Sequence, residues 1–203
     1  MQNVLNILEL YERKIPTEKI LPIKQNFSFL KAYHGCKIYE NGNQLKEGLI
    51  PLNKNYLIKQ VQYILRQNNI KFEEKILEEA LETREGKIYF CLTSTELLKY
   101  ANHYLIYGSE SVFEVLSKLI NNSEELKKIL KDVGIPTYLE CDIPIELIDN
   151  SVIEEIETLI QNNYDDLEWF GFSIKKPLLP KHIKKVNYPQ KLYSVIDNKM
   201  FYF

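Results

Sequence analysis

A chain of 203 residues with 45% hydrophobic content is long enough to bury roughly 70% of the surface its unfolded form exposes, so one domain with a sizeable core is expected. A formal charge of -2 excludes the large excess of Lys and Arg that drives general nucleic-acid binding through counterion release. No apolar run approaches the about 18 residues that span a bilayer, and Met1 to Tyr11 is amphipathic and carries the acid Glu9, unlike a signal peptide; a cytoplasmic protein with no membrane association is expected.

In chain order, Asn3 to Lys14 places Val4, Ile7, Leu8 and Tyr11 at helical spacing and predicts a short helix closed by Pro16. Asn26 to Tyr39 is dense in aromatic and β-type residues and reads as a strand carrying His34, with a break at Gly35. Glu40-Asn41-Gly42-Asn43 is a turn signal and Gly48-Leu49-Ile50-Pro51 a second stop. Apolar residues recurring at three and four predict helices over Asn55 to Asn68 and Phe72 to Arg84. Lys87 to Leu92 is a strand, and Thr93-Ser94-Thr95 followed by Glu96 caps the next helix.

Leu97 to Ile106 and Ser111 to Ile120 read as a helix pair broken at Gly108-Ser109. Thr137 to Ile143 is a strand ended by Pro144, Ser151 to Gln161 a helix, and Trp169 to Ile174 a short aromatic strand. Pro177, Pro180 and Pro189 predict an extended tail. The expected organisation is one α+β domain over 1–203: an N-terminal helical segment (1–25), a core (26–183) and a C-terminal extended tail (184–203).

Cys36, Cys91 and Cys141 form no close pair that would suggest structural zinc, and each lies among apolar or small residues in a predicted strand. Small buried thiols are expected, with Cys36, two residues from His34, as the one candidate nucleophile.

Three constellations could carry chemistry. His34 lies between Tyr33 and Gly35, where the glycine lets a ligand or another backbone come close; its alternative is a hydrogen-bonded structural histidine. Asn102 to Glu110 gathers His103, Tyr104, Tyr107, Ser109 and Glu110 around a glycine break. There the alternative is that Ser109 caps the following helix and Glu110 complements its dipole. Asp165-Asp166-Leu167-Glu168 sets carboxylates before an aromatic strand, where burial could raise a pKa, or forms a solvated turn. From Trp169 to Ile196 there are six lysines and no acid, interleaved with Tyr188 and Tyr193; such a strip is solvated surface or a docking face for an acidic partner.

The order Tyr33-His34-Gly35-Cys36, then Glu47-Gly48-Leu49-Ile50-Pro51, then the strand Lys87 to Leu92 resembles the histidine-containing branch of the ADP-ribosyltransferases. Glu168 with the strand to Ile174, and Leu178-Leu179-Pro180-Lys181-His182-Ile183, resemble that family's glutamate strand and proline-containing segment. The resemblance implies a split-sheet core over 26–183 with flanking helices, NAD as substrate, and a macromolecular acceptor, in a bacterial or phage toxin, defence or counter-defence factor. It implies His34 and one of Glu110 and Glu168 as catalytic residues. Tyr33, His34, Gly35, Tyr89, Tyr104, Tyr107 and Ser109 would contact NAD, one tyrosine stacking on nicotinamide. Two departures stand out: Cys36 replaces the family's Thr or Ser, and Tyr89, Tyr104 and Tyr107 compete for the tyrosine position. Two other classes stay open, a non-catalytic binder of nucleic acid or protein and a Cys36-dependent hydrolase.

Overall fold

A computed structural model describes residues 3–13, 15–39, 45–68, 85–162 and 170–203. The expected helix Phe72 to Arg84, the turn Glu40 to Asn43, and Asp165 to Glu168 with Trp169 lie outside them. The described residues form a mixed α+β fold, a sheet covered by helices on both faces.

The sheet grows around β2 (Phe29–Ile38), whose whole length pairs antiparallel with β4 (Ile135–Pro144), from Phe29 opposite Pro144 to Ile38 opposite Ile135. Period-two alternation sends Leu30 and Ala32, with Leu139, Cys141 and Ile143 of β4, into one core. There they meet α1 (Ile7–Arg13), Ile23 of α2 (Ile23–Asn26) and the Ile153, Ile156 and Ile160 stripe of α8 (Asn150–Gln161). The other face, with Tyr33, packs under α3 (Lys54–Asn68), α4 (Ser94–Lys99), α5 (His103–Ile106), α6 (Glu110–Ser117) and α7 (Ser123–Asp132). Gly35 continues β2 without a break, paired with Tyr138. A Cβ at Gly35 would stand 2.7 Å from Leu97 Cδ1 and 3.3 Å from Leu105 Cδ2, so the glycine accommodates the helices packed over the strand rather than a bend.

β2's second edge positions the site. β1 (Val4–Leu5) pairs with it in parallel at Phe29 and Leu30, and β3 (Ile88–Cys91) meets it through one pair, Tyr33 with Cys91. β3 then turns to β5 (Gly171–Ile174), with which it pairs along its full length. Beyond Tyr33, β2 and β3 diverge, leaving that edge of His34 to Ile38 without a strand partner among the described residues.

Several elements differ from expectation. The N-terminal helix loses its first residues to β1, because Val4 and Leu5 can add to the open start of β2. The helix over Leu97 to Ile106 divides between Lys99 and His103; the buried Asn102 side chain donates to Leu98 O and Tyr193 O. Helix α7 was not expected, although Asn122 caps it by accepting from the amides of Glu124 and Glu125. The tail is not merely extended. It adds β6 (Ile183–Asn187) to β4 and folds β7 (Lys191–Ser194) against β8 (Lys199–Tyr202). The reason is long-range: Asp197 in the hairpin turn accepts from Lys127 Nζ at 2.7 Å, Ser194 Oγ at 2.6 Å and Tyr107 OH.

Burial pushes the Asp197 carboxyl up, but the hydrogen bonds from Lys127, Ser194 and Tyr107 outweigh it and hold its pKa at about 2. A carboxylate depressed from 3.8 contributes stability fully present above that value and lost as pH falls toward 2. Asp197→Ala is expected to lower the free energy of unfolding at pH 7 by about 2 kcal/mol. Urea denaturation checks it, and the deficit should shrink on acidification below pH 4.

Candidate ligand-binding cavity

The divergence of β2 and β3 opens a cavity of about 1140 Å³, slightly above the roughly 300–1,000 Å³ of small-molecule sites. It has three walls: His34 with β3 and Gly171, the rim from Tyr100 to Ser111, and the polar face of α3.

His34 bridges the open strands. Its Nδ1 lies 2.8 Å from Tyr89 O; a carbonyl only accepts, so Nδ1 carries the proton and Nε2 keeps its lone pair. Burial lowers the His34 pKa, against the raising effect of the Tyr89 bond, so the ring is neutral at pH 7. It packs on Phe90, which stacks on Phe172, with centroids 5.6 Å apart in each pair. A neutral imidazole of fixed tautomer can accept from a hydroxyl.

Glu110 opens α6 on the rim, where it complements the helix dipole. Its Oε1 accepts from Tyr104 OH at 3.1 Å and lies 3.8 Å from His103 Nε2. Ser109 caps α6, its side chain accepting from Val112 N at 3.3 Å, so the structural and site readings of this stretch coexist. His34, Gly35, Tyr89, Tyr104, Ser109 and Glu110 all line the one cavity. Tyr33 reaches it too, but is 7% exposed and its phenol hydrogen-bonds with Ser94. Tyr107 does not line it: the ring is buried against Phe201 and its hydroxyl donates to Asp197. Glu168 lies outside the described residues.

The Glu47-Gly48-Leu49 and Leu178-Leu179-Pro180 segments are joined by two backbone hydrogen bonds of 2.9 Å between Leu49 and Leu178, 129 positions apart in sequence. Gly48 at φ +83° lies directly against this bridge, and Glu47, Gly48 and Leu49 form part of the cavity wall.

The cysteines lie in β2, β3 and β4 with no disulfide between them. Burial pushes the Cys36 thiol up to about 12, the opposite of what a thiolate nucleophile needs at neutral pH.

Sequence reasoning missed Glu96. The sequence pattern makes it part of a cap, and its backbone amide does donate to Thr93 Oγ1 at 3.0 Å. Its side chain, however, is buried on the cavity wall. Burial raises its pKa to about 7, against the opposing hydrogen bonds with Cys91 and the Leu92 backbone. Oε2 is buried with no partner among the described residues. A Thr-x-x-Glu pattern explains a glutamate fully as a capping box, so nothing local distinguishes a carboxyl turned inward.

Buried Lys37 donates from Nζ to Leu130 O at 2.6 Å, Lys131 O at 2.8 Å and Ile106 O at 3.2 Å. It ties the ends of α5 and α7 to β2, and burial lowers its pKa to about 7.

No protein family, curated protein or solved structure matches this chain.

Proposed function

We propose that the cavity binds NAD and that the chain is an ADP-ribosyltransferase-like enzyme, with a split-sheet core, that transfers ADP-ribose to a macromolecular acceptor. The observation that carries the reading is that His34 and Glu110, 76 positions apart in sequence, face one cavity beside the diverging strands. That cavity has volume for a dinucleotide and aromatic surface for a nicotinamide ring.

In this reading His34 Nε2 accepts from a hydroxyl of the nicotinamide-side ribose, and Tyr89 or Tyr104 stacks on the nicotinamide. As the nicotinamide–ribose bond breaks, its electron pair leaves with the pyridine nitrogen and positive charge develops on the ribose. The Glu110 carboxylate stabilises that charge, aligned by Tyr104 and His103. The acceptor nucleophile then forms the new bond and releases its proton. Glu168, from the sequence resemblance, is the alternative carboxylate.

Release of nicotinamide from labelled NAD, with and without cell extract, tests the proposal. His34→Ala should lower turnover about a hundredfold, as should the Gln variant of whichever glutamate is catalytic. Absence of both nicotinamide release and NAD binding by calorimetry in the wild-type protein would overturn it.

A second reading, binding without catalysis, is favoured by the outward face of the β7–β8 hairpin, which exposes Lys191, Tyr193, Met200 and Tyr202. It predicts steeply salt-dependent binding to nucleic acid that is indifferent to His34→Ala.

A further inference from the structure

Helix α3 is oriented by its core face. Leu57, Val61, Ile64 and Leu65 are buried at three- and four-residue spacing, so a second stripe, Tyr56, Lys59, Gln60, Tyr63 and Arg66, is left to line the cavity. At 1.5 Å per residue, Tyr56 to Arg66 spans about 15 Å, and Lys59 and Arg66 stand about two turns apart on one side.

The charge of this stripe is one-sided. Residues 54–68 contain Lys54, Lys59 and Arg66 and no acid, in a chain whose net charge is -2. Two cations on the wall of a concave, partly apolar cavity focus a positive potential into it. The Tyr56 phenol hydrogen-bonds with the Gln60 side chain, yet Gln60 Oε1 is buried with no partner among the described residues. An orphaned acceptor on the cavity wall suits a ligand hydroxyl, which can donate to it.

We infer that this face of α3 is a phosphate-binding wall, on which Lys59 and Arg66 hold the pyrophosphate of a dinucleotide or nucleoside diphosphate. Arg66 offers a planar fork that matches two phosphate oxygens, and Lys59 a point charge about two turns nearer the cavity's Tyr56 end. The tyrosines of the stripe give a base a flat surface to lie on. The identification of the pyrophosphate with that of NAD rests on the proposed function; the anion chemistry does not.

Calorimetric titration of the full chain with ADP-ribose, inorganic pyrophosphate and nicotinamide riboside separates the two. ADP-ribose and pyrophosphate should bind the wild type, each with an affinity that falls about tenfold or more in Lys59→Gln and again in Arg66→Gln. Lys54→Gln, on the same helix but off the cavity, should bind as the wild type does, and the double variant should show a shallower salt dependence. Circular dichroism checks that these substitutions leave the fold intact. Absence of wild-type binding to both phosphate ligands, or equal binding by the double variant, overturns the inference. Cation-dependent ADP-ribose binding without nicotinamide release would retain the wall and reject the transferase. Nicotinamide release unaffected by the double variant would do the reverse.

Discussion

Gly48→Ala is expected to lower the free energy of unfolding by about 3–5 kcal/mol, a large share of the roughly 5–15 kcal/mol typical of a domain. Two effects add. The residue sits at φ +83°, a region that costs a side-chain-bearing residue about 1–2 kcal/mol. The new Cβ would also lie 2.1 Å from the backbone oxygen of Leu178 and 3.0 Å from Pro180 N. Backbone cannot swing aside as a flexible side chain can, so the paired hydrogen bonds between Leu49 and Leu178 must lengthen or break, at about 1 kcal/mol each. Urea denaturation of wild type and variant measures the loss. Gly86→Ala serves as the comparison: it has a similar φ of +75° but nothing within 4 Å of the added Cβ, so it should show the conformational cost alone. Equal losses at the two positions would show that the Leu178 contact is not rigid. Because Gly48 and Leu49 form cavity wall, Gly48→Ala should also weaken ligand binding in the protein that remains folded.

Glu96 is expected to make wild-type stability fall as pH rises from about 4.5 to about 7. Its carboxyl titrates near 4.5 when unfolded and near 7 when folded, so between those values the folded protein holds the proton more tightly. The stabilising contribution is fully present below 4.5 and lost as pH rises through 7, with a full amplitude of about 3 kcal/mol. Glu96→Gln keeps the shape and removes the charge. Near pH 4 the two proteins should differ little, whereas at pH 8.5 the variant should be the more stable by up to about 3 kcal/mol. His34, His103 and His182 have pKa values lowered by burial and give a slope of the opposite sign, which the wild-type-to-variant difference cancels. Denaturation midpoints of both proteins at pH 4, 5.5, 7 and 8.5 check it; a difference that does not change with pH rejects a buried, proton-holding Glu96.

Helices and caps set by neighbours within a turn were legible in the sequence. The stripe Leu57, Val61, Ile64 and Leu65 and the caps at Thr93 and Ser109 need only residues three or four positions away, and all stand in the structure. Strands with strong alternation were legible for the same reason, as in Tyr138 to Ile143 of β4. The weaker signals were those whose partner lies far along the chain. Val4 and Leu5 satisfy a helical pattern until β2 offers them an edge, and residues 191–202 read as extended chain until Lys127 and Tyr107 hold Asp197.

His34 and Glu110 illustrate the same division at the site. Composition and order singled out both: the sequence placed His34 in a strand, with a break expected at Gly35 that the structure does not show, and offered Ser109 as a helix cap with Glu110 on its dipole as one of two readings. Only the tertiary structure decided that the two residues face one cavity, because that depends on β3 meeting β2 at Tyr33 alone while its other edge pairs with β5, 80 positions later between Cys91 and Gly171. It also decided that Leu97 and Leu105 fill the space beside Gly35, that Tyr107 turns to Asp197, and that Glu96 is buried. Propensity, periodicity and capping act over a few residues. Which edge stays bare, and which charge is taken out of water, are set by contacts between segments that no local pattern encodes.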